Sequence, residues 1–233
     1  MVNKILKILQ NYFDLLFINL KVKFFNLFEY LRVICNYYSN LSFLKIDVTL
    51  ILSYLFKNPF QISKRFLLLK GERDIYTYGE TPLTTLEEIA EKSQLSARDT
   101  VFELGCGRGR TCFWLHEFVG CSVVGIDYVP DFISHANSIK KRFAITGVEF
   151  RLEDLLHTDL QTATVIYLYG TCFPTPFIET LIEQFNLLPS GVKIITISYS
   201  LNEYVNQPLF EVVKRFAAKF TWGVADVYIQ IKR

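Results

Sequence analysis

The sequence predicts an α/β fold: a mostly parallel sheet wound with helices, closed by an antiparallel C-terminal hairpin and preceded by a helical extension. Three observations carry this expectation. Short β-branched or apolar runs recur at 101–104, 122–126, 148–152, 164–168 and 192–198, most of them separated by helical periodicity. A glycine-rich turn at Gly105, Gly107 and Gly109 follows the first run and opens a helix. Near the end, 212–220 and 225–231 read as paired strands around Trp222-Gly223.

With 233 residues, 51% of them hydrophobic, the chain can fill one ordinary domain plus an extension, and long disorder is excluded. We divide it into a basic, aromatic-rich helical extension over 1–70 and a second region over 71–233. The net charge of +2 is unevenly spread: ten Lys/Arg stand against three Asp/Glu in residues 1–70, and fifteen against twenty afterwards. The extension is therefore expected to meet something anionic or the acidic body itself. Nucleic acid is not indicated. The five cysteines form an odd set without a CxxC pair, and the three histidines share no metal-binding spacing. A reduced, cytoplasmic protein without a metal site is expected.

Residues 1–70 contain no glycine and a single proline, Pro59, and read as helices over roughly 3–19, 22–39, 43–57 and 60–69. A membrane span needs about 18–20 apolar residues without charge. The longest uncharged stretch, 33–44, has twelve residues and includes two asparagines and two serines. Asp14 interrupts the first apolar run and no small-residue cleavage site follows, so neither a span nor a signal peptide is expected. Two readings stay open for this extension: a helical cap on the second region, or a basic, aromatic surface lying peripherally on an anionic membrane.

Residues 71–81 form a polar linker, and Thr84 with Glu87 reads as a capping box for the next helix. The loop after the first strand cannot be a dinucleotide fingerprint, because the third glycine of that pattern would fall on Arg110. Glu103, two positions before the first glycine, would repel a pyrophosphate and attract an amino group. Asp127 ends the second strand 22 residues beyond Gly105, near the spacing of about 20 expected for a carboxylate on ribose hydroxyls. The third strand ends at Glu153-Asp154, and the fourth delivers Tyr169 to Phe173 beyond its carboxyl end, where open α/β sheets bind ligands. Thr175 as cap and Pro176 at the first position begin the following helix.

Glu103-x-Gly105-x-Gly107-x-Gly109 resembles motif I of the Rossmann-like class I S-adenosylmethionine-dependent methyltransferases. The tetrapeptide at Tyr78, Gly79, Glu80 and Thr81, some twenty residues earlier, resembles the non-SET protein-lysine methyltransferases of the telomeric-silencing-disruptor type. The resemblance implies S-adenosylmethionine as cofactor and assigns roles by position. Glu103 would meet the methionine ammonium, and the loop of Gly105, Cys106, Gly107 and Gly109 the methionine and ribose. Asp154 would meet the adenine amino group, with Tyr128 packing on the ring, and residues 78–81 would lie over the cofactor. Tyr169 would border both cofactor and acceptor, forming with Phe173 an aromatic acceptor channel. Where that family has an asparagine pair, this chain has Tyr169-Gly170, so a histone acceptor does not transfer, while a protein lysine does. A small-molecule or lipid methyltransferase and a non-catalytic cofactor-binding module are the alternatives. No residue declares itself as a general base.

Overall fold

The computed structural model describes residues 2–72, 74–75 and 77–233, with the side chains of residues 2–9 and 11 outside that description. With neither glycine nor proline to interrupt it, the N-terminal segment forms one 36-residue helix, α1 (Val2–Tyr37). The break expected near residue 20 is absent: Leu20-Lys21 contains good helix formers and no breaker. Asn40 then starts α2 (Leu41–Ser53) by accepting from the backbone N–H groups of Ser42 and Phe43 at 3.0 and 3.1 Å. Pro59 opens α3 (Pro59–Lys70), and Gly71, at φ +76°, ends it.

The second region begins with α4 (Leu83–Lys92), where the expected capping box does not form. Its place is taken from 55 residues away: Glu29 of α1 accepts from the Thr84 N–H at 3.0 Å and the Thr84 hydroxyl at 2.7 Å. Glu87, freed from that role, accepts from the Tyr37 hydroxyl at 2.9 Å. A negative group at a helix start is favoured by the dipole, whichever segment supplies it.

Five parallel strands follow: β1 (Thr100–Leu104), β2 (Ser122–Asp127), β3 (Val148–Leu152), β4 (Val165–Leu168) and β5 (Lys193–Ile197). The connecting helices are α5 (Arg110–Trp114, running on into a π turn over Leu115–Val119), α6 (Pro130–Arg142) and α7 (Thr175–Asn186). In α7 the helix starts one residue early, with Pro174 at the cap, so Thr175 caps nothing. The antiparallel pair β6 (Phe210–Phe220) and β7 (Gly223–Lys232) completes a seven-stranded sheet in the order β3-β2-β1-β4-β5-β7-β6.

Alternation along the strands sends side chains into two cores. Val101, Val123, Val165 and Tyr167 face α4, α5 and α6, over which the end of α1 and then α2 are packed. Phe102, Val124, Ile166 and Leu168 face α7. Among the described side chains of α1, only Glu29, Val33 and Tyr37 are buried. Among the described residues, no helix is long and apolar enough to cross a membrane. The strand order reverses between β1 and β4, and a crevice opens beyond their carboxyl ends.

Candidate active site

The floor of that crevice is made of backbone. Past β1 the chain turns so that Gly105 and Cys106 both donate N–H groups to the Ile126 carbonyl at 2.9 Å, pinning the loop on β2. Gly105 holds φ +84°, and a Cβ there would point into open space, so the crevice side of the turn is bare. Asp127, at the end of β2, accepts from Gly107 N–H and Val129 N–H at 2.8 Å each. Burial pushes its carboxyl up to about 6, against the pull of those amides. Each oxygen keeps a second lone pair for a ligand.

Glu103 is buried beneath the loop and accepts from the Thr111 hydroxyl at 2.5 Å and the Cys112 thiol at 3.0 Å. Burial pushes its carboxyl up to about 7. Among the described residues no Lys, Arg or His forms an ion pair with it. A buried carboxylate in this condition favours a cationic ligand.

Residues 78–81 cover the floor. The Tyr78 ring lies between Phe60 and Phe132, with centroids 5.0 and 5.1 Å away, and close enough to Gly107 that a Cβ there would come within 3.0 Å of it. The Arg108 guanidinium grips Glu80 through both oxygens at 2.5 and 2.6 Å, and the Tyr78 hydroxyl donates to the same carboxylate. Burial alone would raise the Glu80 carboxyl, but Arg108 and Tyr78 hold it below the usual range. Thr81 shares a 2.5 Å hydrogen bond with Tyr167.

The cleft between floor and cover brings together Gly79, Glu80, Thr81, Glu103, Gly105, Cys106 and Tyr169, joined by Arg110 and Thr111. It leaves about 20 Å³ for the centre of a water-sized sphere, room for roughly one water. A nucleoside-sized ligand does not fit the space between floor and cover in this arrangement.

On the far side, Tyr169 leans against Gly79 and accepts from the Trp222 indole N–H at 2.7 Å. Trp222 stacks on Phe220 at 5.5 Å, and Phe220 meets the Tyr169 ring edge-on at 5.8 Å. Phe173 stands apart from this group: it packs on Phe177 at 4.5 Å and against the α7 core, on the other face of the sheet from the core that Tyr169 joins. Tyr128 and Asp154 also lie outside the narrow cleft. Tyr128 packs edge-on against Phe66 of α3 at 5.3 Å, and Asp154 caps a short turn by accepting from Leu156 N–H at 2.9 Å.

Several residues of the site carried no advance signal. Trp222 read only as part of a hairpin turn, and Arg108 was not singled out at all. Arg110, which broke the dinucleotide pattern, forms a two-point ion pair with buried Asp47 of α2 at 2.6 and 2.7 Å. Tyr54, just past α2, is buried beneath the Arg108 guanidinium at 5.1 Å, and its hydroxyl has no hydrogen-bond partner among the described residues.

A family model described as "Methyltransferase domain" matches residues 95–225, more than half of the chain and all of the sheet except most of its last strand. The chain belongs to this methyltransferase family. Among curated relatives, the methyltransferase is 25% identical over 181 residues to the H3 lysine-79-specific histone-lysine N-methyltransferase of Dictyostelium discoideum, covering 69% of this chain and 10% of that one. It is 27% identical over 111 residues to the geranyl diphosphate 2-C-methyltransferase of Saccharopolyspora erythraea, covering 46% and 39%. It is 25% identical over 91 residues to human EEF1A lysine methyltransferase 2, covering 39% of each. This methyltransferase thus spans from a tenth to about two fifths of the length of these relatives.

Two solved structures illustrate the shared fold. The RNA methyltransferase of Salinibacter ruber in complex with S-adenosyl-L-homocysteine aligns with a TM-score of 0.54 at 22% identity, over 66% of this chain and 93% of that one. The geranyl diphosphate C-methyltransferase of Streptomyces coelicolor aligns with a TM-score of 0.55 at 15% identity, over 65% and 78%.

Proposed function

We propose that this methyltransferase transfers a methyl group from S-adenosylmethionine to a lysine side chain of a protein. The cofactor fits the residues present. Glu103 is a buried carboxylate without a partner cation, suited to the methionine ammonium, and the bare side of Gly105 admits close approach. Asp127 has lone pairs left for ribose hydroxyls. Tyr128 and Asp154, at the ends of β2 and β3, are the residues for the adenine. When bound, the cofactor supplies an activated sulfonium methyl, so the protein's contribution is alignment.

The observation that carries the acceptor assignment is the aromatic wall of Tyr169, Phe220 and Trp222 beside the cleft. Such a wall encloses an alkyl stem, and an apolar surround disfavours the ammonium form, so a lysine amine would arrive neutral and nucleophilic. Phe220 and Trp222 take the place in this channel that Phe173 was expected to fill. An anionic acceptor suits the site less well: Arg108 and Arg110, the two arginines at the cleft, are already engaged by Glu80 and Asp47.

Labelled cofactor incubated with lysate and separated into protein, lipid and small-molecule fractions tests the acceptor class; label confined to lipid or small molecules overturns the lysine reading. Tyr169→Ala is expected to lower methyl transfer by about a hundredfold, the scale of a misplaced reactant, while calorimetry shows little change in cofactor affinity. Loss of cofactor binding with the fold intact would move Tyr169 to the cofactor pocket.

A further inference from the structure

From Tyr12 to Phe28, no described side chain of α1 is buried and only Val22 and Phe25 are half-buried; the first buried one is Glu29. The exposed segment is strongly apolar. Phe13, Leu20, Leu27 and Ile34 recur every seven residues and are 63, 51, 54 and 50% exposed. Leu16, Phe17, Phe24 and Leu31 flank them, also about half exposed or more. At 3.6 residues per turn these side chains fall within an arc of about 100°, one continuous apolar stripe along the helix. A helix with such a face draws its stability from whatever covers it.

The charges around it indicate the cover. Of the three acids in residues 1–70, Asp47 is buried against Arg110 and Glu29 is turned inward onto α4; only Asp14 is exposed. The bases face outward. Lys21, Lys23, Arg32, Lys45, Lys57 and Arg65 are all exposed, and none forms an ion pair with a described residue. Folding thus sorts the extension, directing two of its three negative charges into the body and presenting its positive charges with the aromatic stripe.

We propose that α1 lies along the surface of an anionic lipid bilayer, its Phe and Leu side chains in the headgroup–acyl boundary and Lys21, Lys23 and Arg32 at the phosphates. Apolar insertion and attraction to anionic lipid act together on such a helix. The long Lys and Arg stems let the charges stay at headgroup level while the stripe is immersed. A second copy of the chain is a poorer cover: pairing α1 with α1 sets cations against cations, with Asp14 as the single exposed acid to offset them.

Co-sedimentation of the full chain with phosphatidylcholine vesicles, with and without phosphatidylserine, tests this. Binding is expected to be at least about tenfold stronger with phosphatidylserine and to weaken as salt rises. The exposed-site variant Leu20→Ser, Phe24→Ser, Leu27→Ser is expected to lose at least about tenfold in vesicle affinity while binding S-adenosylmethionine normally by calorimetry, which verifies the fold. A second variant, Lys21→Gln, Lys23→Gln, Arg32→Gln, keeps the stripe and is expected to lose about fivefold per charge. No preference for anionic vesicles, or full binding by both variants, overturns the proposal. So does a dimer detected by light scattering without vesicles and split by the serine variant, which would make a second copy the cover.

Discussion

The glycine loop and residues 78–81 face each other across one cleft, and they are held in different ways. The loop is fastened through its own backbone amides, two on the Ile126 carbonyl and the Gly107 amide on the Asp127 carboxylate. The facing segment belongs to no helix or strand and is fastened by side chains: Arg108 to Glu80, Thr81 to Tyr167, and Tyr78 wedged between two phenyl rings. Backbone fastenings within a sheet yield only when the sheet does, whereas side-chain fastenings can be exchanged one at a time. The contrast describes a fixed floor and a movable cover.

The largest expected effect comes from undermining the floor. Arg110, the first residue of α5, is held by Asp47, whose side chain is fully buried. Asp47→Ala leaves a buried guanidinium without its partner, and denaturant unfolding should register a loss of about 3–5 kcal/mol. A loss below about 1 kcal/mol would mean that α2 does not anchor the loop.

Next comes pH. Glu103 holds its proton up to about 7, and that proton must leave before the carboxylate can pair with an ammonium. Cofactor affinity is therefore expected to fall by up to about tenfold per pH unit below 7 and to level off above it, with Glu103→Gln flattening the profile. The sign for stability without ligand is opposite. Glu103 and Asp127 bind protons more tightly folded than unfolded, so their contribution is full below the unfolded carboxyl value and is lost as pH rises through about 6 to 7. Calorimetric titration and thermal melts over that range separate the two trends.

Asp127→Ala removes both the clamp on Gly107 and the proposed ribose acceptor, and should weaken cofactor binding about tenfold or more. Unchanged affinity would remove the ribose assignment. The smallest effect belongs to the cover. Arg108→Ala should raise amide exchange across residues 78–81 in the free protein, and added cofactor should restore protection, with affinity changed only a few-fold. Equal exchange in both proteins would show that the segment is held by something other than Arg108.

What the sequence made legible follows the range of the interactions. The strands, the glycine turn, Asp127 at a strand end and the terminal hairpin rest on neighbours a few residues apart, and each was found in its expected place. The cap of α4 was not legible, because Thr84 and Glu87 offered a local solution that Glu29 and Tyr37 replaced from across the fold. The same holds for Tyr169, which was expected to act with Phe173 and instead bonds to Trp222, 53 residues away. The turn beyond β4 accounts for the difference: strand alternation would put Tyr169 and Phe173, four residues apart, on one face, but both lie past the strand, and the irregular turn sends them to opposite faces.

The carboxylate of Glu29 has a mechanical consequence. It is the first buried group among the described side chains of a rod about 54 Å long, and it is also the cap that starts α4. From α4 the Thr85 hydroxyl reaches the Lys219 carbonyl, three residues before the indole that props Tyr169. The rod is thus linked through α4 to the proposed acceptor wall. A pull on the rod acts on the Glu29–Thr84 bonds, and through α4 it reaches the strand pair that carries Phe220 and Trp222.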